Sequence, residues 1–267
     1  MPRTTITARV LLTCIALLGC LWLAATAATT AFTDNETYAV PDMLTPAYYA
    51  ASSDDALRQE INRFVHYAHQ ASTHHPLADA AGNMPSYATP AQGSFGADKG
   101  PGRFVQHHPA VDLYPSGRQT EVALYAAHGG RVSTYRDVEK YRHLLTITTE
   151  IRDSAGTLLG FMVTFYGHID LDRDEPSGVL MNGRTVHAGD LISRHLYAGT
   201  MGGPHLHYEI RYYRPDDEPG TDFYGGNAGP MGSPQFALAS AGPWAHGFWH
   251  PEIGYGFGNP GNHGVPD

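Results

Sequence analysis

A mainly β fold, an antiparallel sheet preceded by one amphipathic helix, is what this sequence predicts. Three observations carry it. Apolar and polar residues alternate over several short runs separated by Gly, Asp and Ser turns, the pattern of half-buried strands joined as hairpins. Helical spacing is strong in only one stretch, through Leu57, Ile61, Phe64, Val65 and Ala68. The length, 267 residues at 42% hydrophobic content, suffices for one or two domains with a real core, and no internal repeat divides it.

The elements follow in order. Arg3 and Arg9 form a positive start, and Val10 to Leu23 is almost wholly apolar. Ala25-Thr26-Ala27 offers a small-x-small cleavage site. The apolar run falls short of the ~20 residues a spanning helix needs. Residues 1–27 therefore read as a cleaved signal peptide, with no stable membrane span afterwards and a secreted or periplasmic, cell-envelope location. Leu17-Leu18-Gly19-Cys20 loosely resembles a lipoprotein box, but the apolar run continues through Leu21, Trp22 and Leu23. Anchoring through Cys20 is thus the second choice. Cys14 and Cys20 are the only cysteines, so the mature chain has no disulfide, thiol nucleophile or cysteine ligand.

Residues 28–102 read as a linker and helical N-terminal segment. Ser52 and Ser53 with Asp54 and Asp55 mark a helix start, and the helix ends near His69 or Gln70. Its His66 and His69 read as surface histidines. Ser72 to Gly102, rich in Gly, Pro, Ala and Ser, reads as a loop. Residues 103–215 form the main domain. Ala110 to Tyr114 is a strand. Glu121 to Ala127 is another, turning at His128-Gly129-Gly130 and returning through Arg131 to Tyr135. Leu144 to Arg152 and Leu158 to Tyr166 form a hairpin about Asp153-Ser154-Ala155-Gly156. Leu171 to Gly183 reads as a surface loop. Val186 to Ile192 is a strand broken by Ala188-Gly189-Asp190, and a last strand follows Pro204. Residues 216–267 are rich in Gly, Pro and aromatics. Trp244 and Trp249 are candidates for a groove wall, and beyond Gly254 the chain reads as a tail that lies on the domain or is partly disordered.

A net charge of −9 argues against a nucleic-acid binder that works by neutralising phosphates. It also means that a strongly anionic partner has to be held by local contacts.

The last strand carries the chemistry. In Gly202-Gly203-Pro204-His205-Leu206-His207-Tyr208-Glu209-Ile210, a period of two puts His205, His207 and Glu209 on one face and Leu206, Tyr208 and Ile210 on the other. Neutral imidazoles suit zinc. The spacing leaves two arrangements open: both histidines converging on one ion, or one binding while the other works as a base. His107-His108-Pro109-Ala110-Val111-Asp112 adds a second histidine–carboxylate group, which reaches one ion only if the chain bends near Pro109. Tyr166-Gly167-His168-Ile169-Asp170 adds a third piece at a strand end.

The order HPAVD, YGHID, HAGD, GPHLHYE, over Phe104 to Arg211, resembles the lysostaphin or LytM-type zinc metallopeptidases, whose fold is the duplicated hybrid motif. That resemblance implies one zinc ion per chain, in an open groove of the sheet, with His108, Asp112 and His207 as ligands. His107 is the alternative to His108. It implies that His205 and His168 activate water or stabilise the tetrahedral intermediate, and that Asp190 is structural. Ala110 stands where the family has a glycine. The loop before His187 is long, and Arg194-His195-Leu196-Tyr197 replaces a small-residue turn. These departures touch substrate fit and leave every ligand position filled.

Two histidines and one carboxylate with an open fourth position is the donor set of catalytic rather than structural zinc. The expected function is an exported zinc metalloendopeptidase acting on bacterial peptidoglycan stem peptides or cross-bridges. Glu209 reads as a residue behind the ligands or on the surface, and Tyr166, Tyr197 and Tyr208 read as groove lining. The rivals are a non-catalytic zinc-binding module that regulates other wall hydrolases, a general protease or zinc amidase, and a plain secreted β-protein.

Overall fold

Alternating runs need partners across a sheet, and the computed structural model supplies them. It describes residues 55–72, 74–97, 108, 110–138, 141–179, 182–217, 247–248 and 256–265. The expected signal peptide at residues 1–27, with Cys20, and Ser52, Ser53, His107, Trp244 and Trp249 lie outside those residues.

Helix α1 (Asp55–Ala71) is followed by strands β1 (Tyr87–Ala88), β2 (Ala110–Pro115), β3 (Glu121–Tyr125), β4 (Gly130–Val138), β5 (Arg142–Arg152) and β6 (Leu158–Ile169). The short helix α2 (Leu171–Asp174) and strands β7 (Thr185–Val186), β8 (Leu191–His195), β9 (Leu206–Tyr213), β10 (Gly247–Phe248) and β11 (Gly256–Gly258) complete the described chain. Among the described residues the main sheet runs β1-β2-β9-β6-β5-β4-β7, wholly antiparallel, with β11 also on β9 and β10 on β11. The fold is mainly β, as expected. No helix among the described residues is long and apolar enough to cross a membrane.

The β5–β6 hairpin forms as its alternation requires, about a turn in which Asp153 Oδ1 accepts from the N–H groups of Ala155 and Thr157 at 2.9 and 2.8 Å. Phe64, Val65 and Ala68 on α1 are fully buried, in one core with Ile147, Ile151, Met162, Tyr208, Ile210 and Tyr212. Burial of this kind contributes roughly 25 cal/mol per Å² of apolar surface, so the helix is held by its face rather than by its length.

Three expectations are corrected. The strand at Glu121–Tyr125 does not form a hairpin with the one after the His128-Gly129-Gly130 turn. It leaves the main sheet and pairs with β8 in a separate two-stranded sheet, while β4 pairs with β5 and β7. Glycine suits the β4–β5 pairing: a Cβ on Gly130 would lie 2.4 Å from the Thr148 carbonyl oxygen. The loop expected over residues 171–183 holds α2 and a 3₁₀ turn at Glu175–Ser177. The loop expected over residues 72–102 holds β1 and a 3₁₀ turn at Ala91–Gly93. Beyond Gly254, Gly256–Gly258 lies on the domain as an added strand.

Candidate metal centre

Strands β2 and β9 pair Ala110 with Glu209 and Asp112 with His207, and on the far side of β9 Gly167 of β6 is opposite His207. Asp112 and His207 therefore meet across one rung, and the period of two adds Tyr114 and His205 to their face. Val111, Leu113, Leu206, Tyr208 and Ile210 point the other way, into the core.

His108 lies before β2 and is held by backbone partners of its own. Its N–H donates to the Ala97 carbonyl at 2.9 Å, and its carbonyl accepts from the Gly96 N–H at 2.7 Å. The turn before it presses on the site: a Cβ on Gly93 would stand 2.8 Å from the Asp112 Cβ. His168 arrives by a different device. In the β5–β6 register His143 pairs with Ile169 and Leu144 with Gly167, so His168 is an extra, bulged residue. Its φ of 61° is left-handed, and its ring comes within 4.7 Å of the His205 ring centroid and 5.8 Å of that of His207. On a regular strand His168 would face away from Gly167 and so away from the site.

Three donor atoms converge. His108 Nε2 lies 3.3 Å from His207 Nδ1 and 3.4 Å from Asp112 Oδ1, and His207 Nδ1 lies 3.1 Å from the same Oδ1. Ligand atoms around a tetrahedral zinc with bonds of ~2.0–2.1 Å stand ~3.3 Å apart, so this triangle fits the ion. The opposite ring nitrogens are fixed by acceptors. His108 Nδ1 donates to the carbonyls of Gly93 and Ser94 at 3.1 and 3.3 Å. His207 Nε2 donates to Glu209 Oε2 at 3.2 Å. Each imidazole, when neutral, therefore turns a lone pair toward the centre.

Among the described residues the Asp112 carboxylate is met by imidazoles alone, with His205 Nε2 at 3.5 Å in addition to the other two. Burial opposes its charge, but His108 and His207 hold its pKa well below the ordinary carboxylate range. Burial likewise opposes charge on His207, yet Asp112 and Glu209 raise it to about 9 in the metal-free site. Burial, then the neighbouring imidazoles, push His168 down to about 3, and burial also lowers His205. Both therefore stay neutral near pH 7. Their Nδ1 atoms donate to carbonyls, His168 to Tyr141 at 3.2 Å and His205 to Gly203 at 2.9 Å, which leaves each Nε2 as a proton acceptor.

The sequence reading missed some site residues and left Glu209 between two places. Glu209 takes the first of them, fully buried behind His207, and is not on the surface. It accepts from Tyr141 Oη at 2.8 Å and pairs with Arg211, which lies over the Phe165 ring. Tyr141 packs 5.2 Å from the His207 ring, in the space that Gly167 leaves; a Cβ there would stand 2.6 Å from the Tyr141 ring. Tyr166 and Tyr208 are core residues at 0% exposure and do not line the site. Tyr208 alternates with His207, so the period of two already places it on the opposite face. Tyr114 stacks on His205 at 4.5 Å and was equally legible, two residues after Asp112. Asp190 holds its turn by accepting from the His187 N–H at 2.8 Å.

No family model and no curated protein matches the sequence. Solved structures do. The neighbours are zinc and lysostaphin-type peptidases. A zinc-containing peptidase from Vibrio cholerae is 24% identical over 52% of this chain and 36% of its own, with a TM-score of 0.36. The catalytic domain of lysostaphin from Staphylococcus simulans is 16% identical over 40% of this chain and 68% of its own, with a TM-score of 0.28. A protein assigned as the glycyl-glycine endopeptidase LytM from Ruminococcus gnavus is 17% identical over 61% and 62%, with a TM-score of 0.39. The chain thus spans 36% of the first of these.

Proposed function

We propose that this chain is an exported zinc metalloendopeptidase that hydrolyses peptide bonds in peptidoglycan stem peptides or cross-bridges. The observation that carries the reading is the joint arrangement of two sets: a buried His108–Asp112–His207 donor triangle, and two further neutral imidazoles, His205 and His168, at its edge. A structural metal site needs the first set and has no use for the second. A regulatory module needs neither base, which makes the enzyme the better reading. The wall substrate follows from the resemblance of the motifs HPAVD, YGHID, HAGD and GPHLHYE, and the envelope location from the signal-like segment at residues 1–27.

His108, Asp112 and His207 would hold the ion. When bound, zinc supplies Lewis-acid polarisation of the scissile carbonyl and a water acidic enough to attack near neutral pH. The protein's own groups handle the protons. His205 Nε2, beside Asp112, takes a proton from the attacking water and returns it to the nitrogen of the breaking bond. His168, its Nδ1 anchored on the Tyr141 carbonyl, offers its remaining nitrogen to the same traffic and donates to the oxyanion once protonated. Glu209, backed by Arg211 and Tyr141, fixes the His207 tautomer and ring plane.

The test is product analysis. Zinc-loaded protein incubated with purified peptidoglycan is expected to release fragments with new peptide termini, seen by mass spectrometry, and a chelator is expected to stop the release. Zinc-bound protein that releases nothing from wall preparations of several bridge chemistries defeats the enzyme reading.

A further inference from the structure

At the rim of the centre lies a stack with no part in holding a metal. Tyr114 stacks on His205, 4.5 Å away with planes at 23°, and the guanidinium of Arg118 lies over the Tyr114 ring with its Cζ 4.4 Å from the centroid. Arg118 sits in the tight turn between β2 and β3, where Gly117 and Arg118 both take left-handed conformations, at φ 74° and 53°. A non-glycine residue is held at positive φ only where its surroundings insist on it, and such positions cluster at functional sites. Here the guanidinium insists: it donates to the Gly202 carbonyl in the loop that leads into His205. The loop is shaped to receive it. A Cβ on Gly203 would stand 2.9 Å from Arg118 Nη1, and one on Gly202 would stand 3.0 Å from Tyr114 Oη.

Among the described residues this bond to Gly202 is the only hydrogen bond of Arg118, and no carboxylate pairs with it. Arg136, Arg142, Arg152, Arg173 and Arg211 all face carboxylates. An exposed, pre-oriented guanidinium fork with free donors beside a peptide-cleaving centre is a site for a carboxylate. In a chain of net charge −9, an acidic ligand needs such a local hold.

We infer that Arg118 is a specificity-determining residue that binds a carboxylate of the peptide substrate. The inference rests on the peptidase reading and narrows its substrate to anionic peptides. Two stacking distances place the guanidinium at most about 9 Å from the His205 ring. At ~3.3–3.6 Å per extended residue, the carboxylate lies within about three residues of the cleaved bond. An acidic side chain and a chain-terminal carboxylate offer the same chemistry there.

The experiment uses zinc-loaded full-length protein and its Arg118→Gln and Arg118→Lys variants, each checked for an unchanged melting temperature. The probes are a purified wall stem peptide with its carboxylates free, the same peptide fully amidated, and two peptides amidated only at the terminus or only at the side chains. The wild type is expected to show a KM about tenfold lower for the free form, with little change in kcat. Arg118→Gln should erase that preference, so that the free and amidated peptides share one KM. Arg118→Lys should keep part of it. The singly amidated peptides name the carboxylate that is read. If no peptide turns over, the peptidase reading fails by itself, and the dissociation constants of the uncleaved peptides carry the same comparison. A wild type indifferent to amidation, or an Arg118→Gln variant that weakens all four peptides equally, overturns the inference. The second outcome would make Arg118 a brace for the Gly202-Gly203 loop.

Discussion

Among the described residues, two clusters bring histidine and carboxylate atoms together. In each, the ligand-type atoms fall within 4.8 Å of one another: His108, Asp112 and His207 in one, His143, Asp170 and Asp172 in the other. Their residue types barely differ, and their chemistry does. In the first, the outer nitrogens of His108 and His207 are spent as donors, so lone pairs face inward. In the second, His143 Nδ1 accepts from the Leu171 N–H at 3.0 Å. The remaining nitrogen of the neutral ring must then carry its proton toward Asp172, 3.8 Å away, and cannot ligate. Arg136 and Arg142 also pair with Asp172, whose side chain is 54% exposed, while the Asp112 side chain is 11% exposed and, among the described residues, meets imidazoles alone. Proximity of donors is therefore a poor criterion for a metal site. What each histidine does with its other nitrogen, and whether a cation already occupies the carboxylate, decides it.

This contrast can be broken or sharpened by experiment. The largest effect is expected from His207→Ala, which should abolish both zinc uptake and hydrolysis. His205→Ala should retain stoichiometric zinc by elemental analysis and lose about a hundredfold or more in kcat. A fully active His205→Ala variant would remove that residue from proton transfer. Next comes Glu209→Gln, which keeps the volume but weakens the acceptor on His207. Zinc affinity should fall about 10–100-fold in competition with a chelator.

The pH dependence is intermediate in size. Metal must displace the proton that Asp112 and Glu209 stabilise on His207, whose pKa is raised to about 9 in the metal-free site. Zinc affinity should therefore fall about tenfold per pH unit below 9 from this group. The His207 contribution to the metal-free fold has the opposite dependence. Because the folded pKa exceeds the unfolded one, that contribution is fully present below about 6.5 and is lost as pH rises through 9. In melting curves with chelator, His207→Gln should therefore cost more stability relative to the wild type at pH 6 than at pH 9; an equal cost at both would mean that His207 is neutral in that state. The smallest effect belongs to the second group: Asp172→Asn should leave zinc content at the wild-type value and shift the melting temperature little, because its ion pairs are exposed. A loss of bound zinc in that variant would collapse the distinction between the two groups.

Much of this was legible in the sequence because it is local. A period of two placed His205, His207 and Glu209 together, and the order of short motifs named the donor triangle. What stayed hidden depends on irregular backbone or distant partners. The bulge that turns His168 inward has no residue signature, since the strand pattern runs straight through Tyr166-Gly167-His168-Ile169. Tyr141 reaches Glu209 from 68 positions away and has no local pattern to announce it. The carbonyls of Gly93 and Ser94 that orient His108 come from a stretch that looked like plain loop. Strand β3 mispaired in the reading because a Gly-Gly turn is a good hairpin signal, but not one that names its partner strand.

One pairing bears on how such a protein is made. Strands β2 and β11 lie end to end along the same edge of β9, β2 against Leu206–Glu209 and β11 against Ile210–Tyr212. Vectorial synthesis delivers the first partner long before β9 and the second only after it. Until residue 258 has reached the compartment where the domain folds, half of that edge presents open backbone donors and acceptors to any passing strand. The interval between emergence of the ligand strand and arrival of its last cover is thus the window in which a chaperone has most to protect.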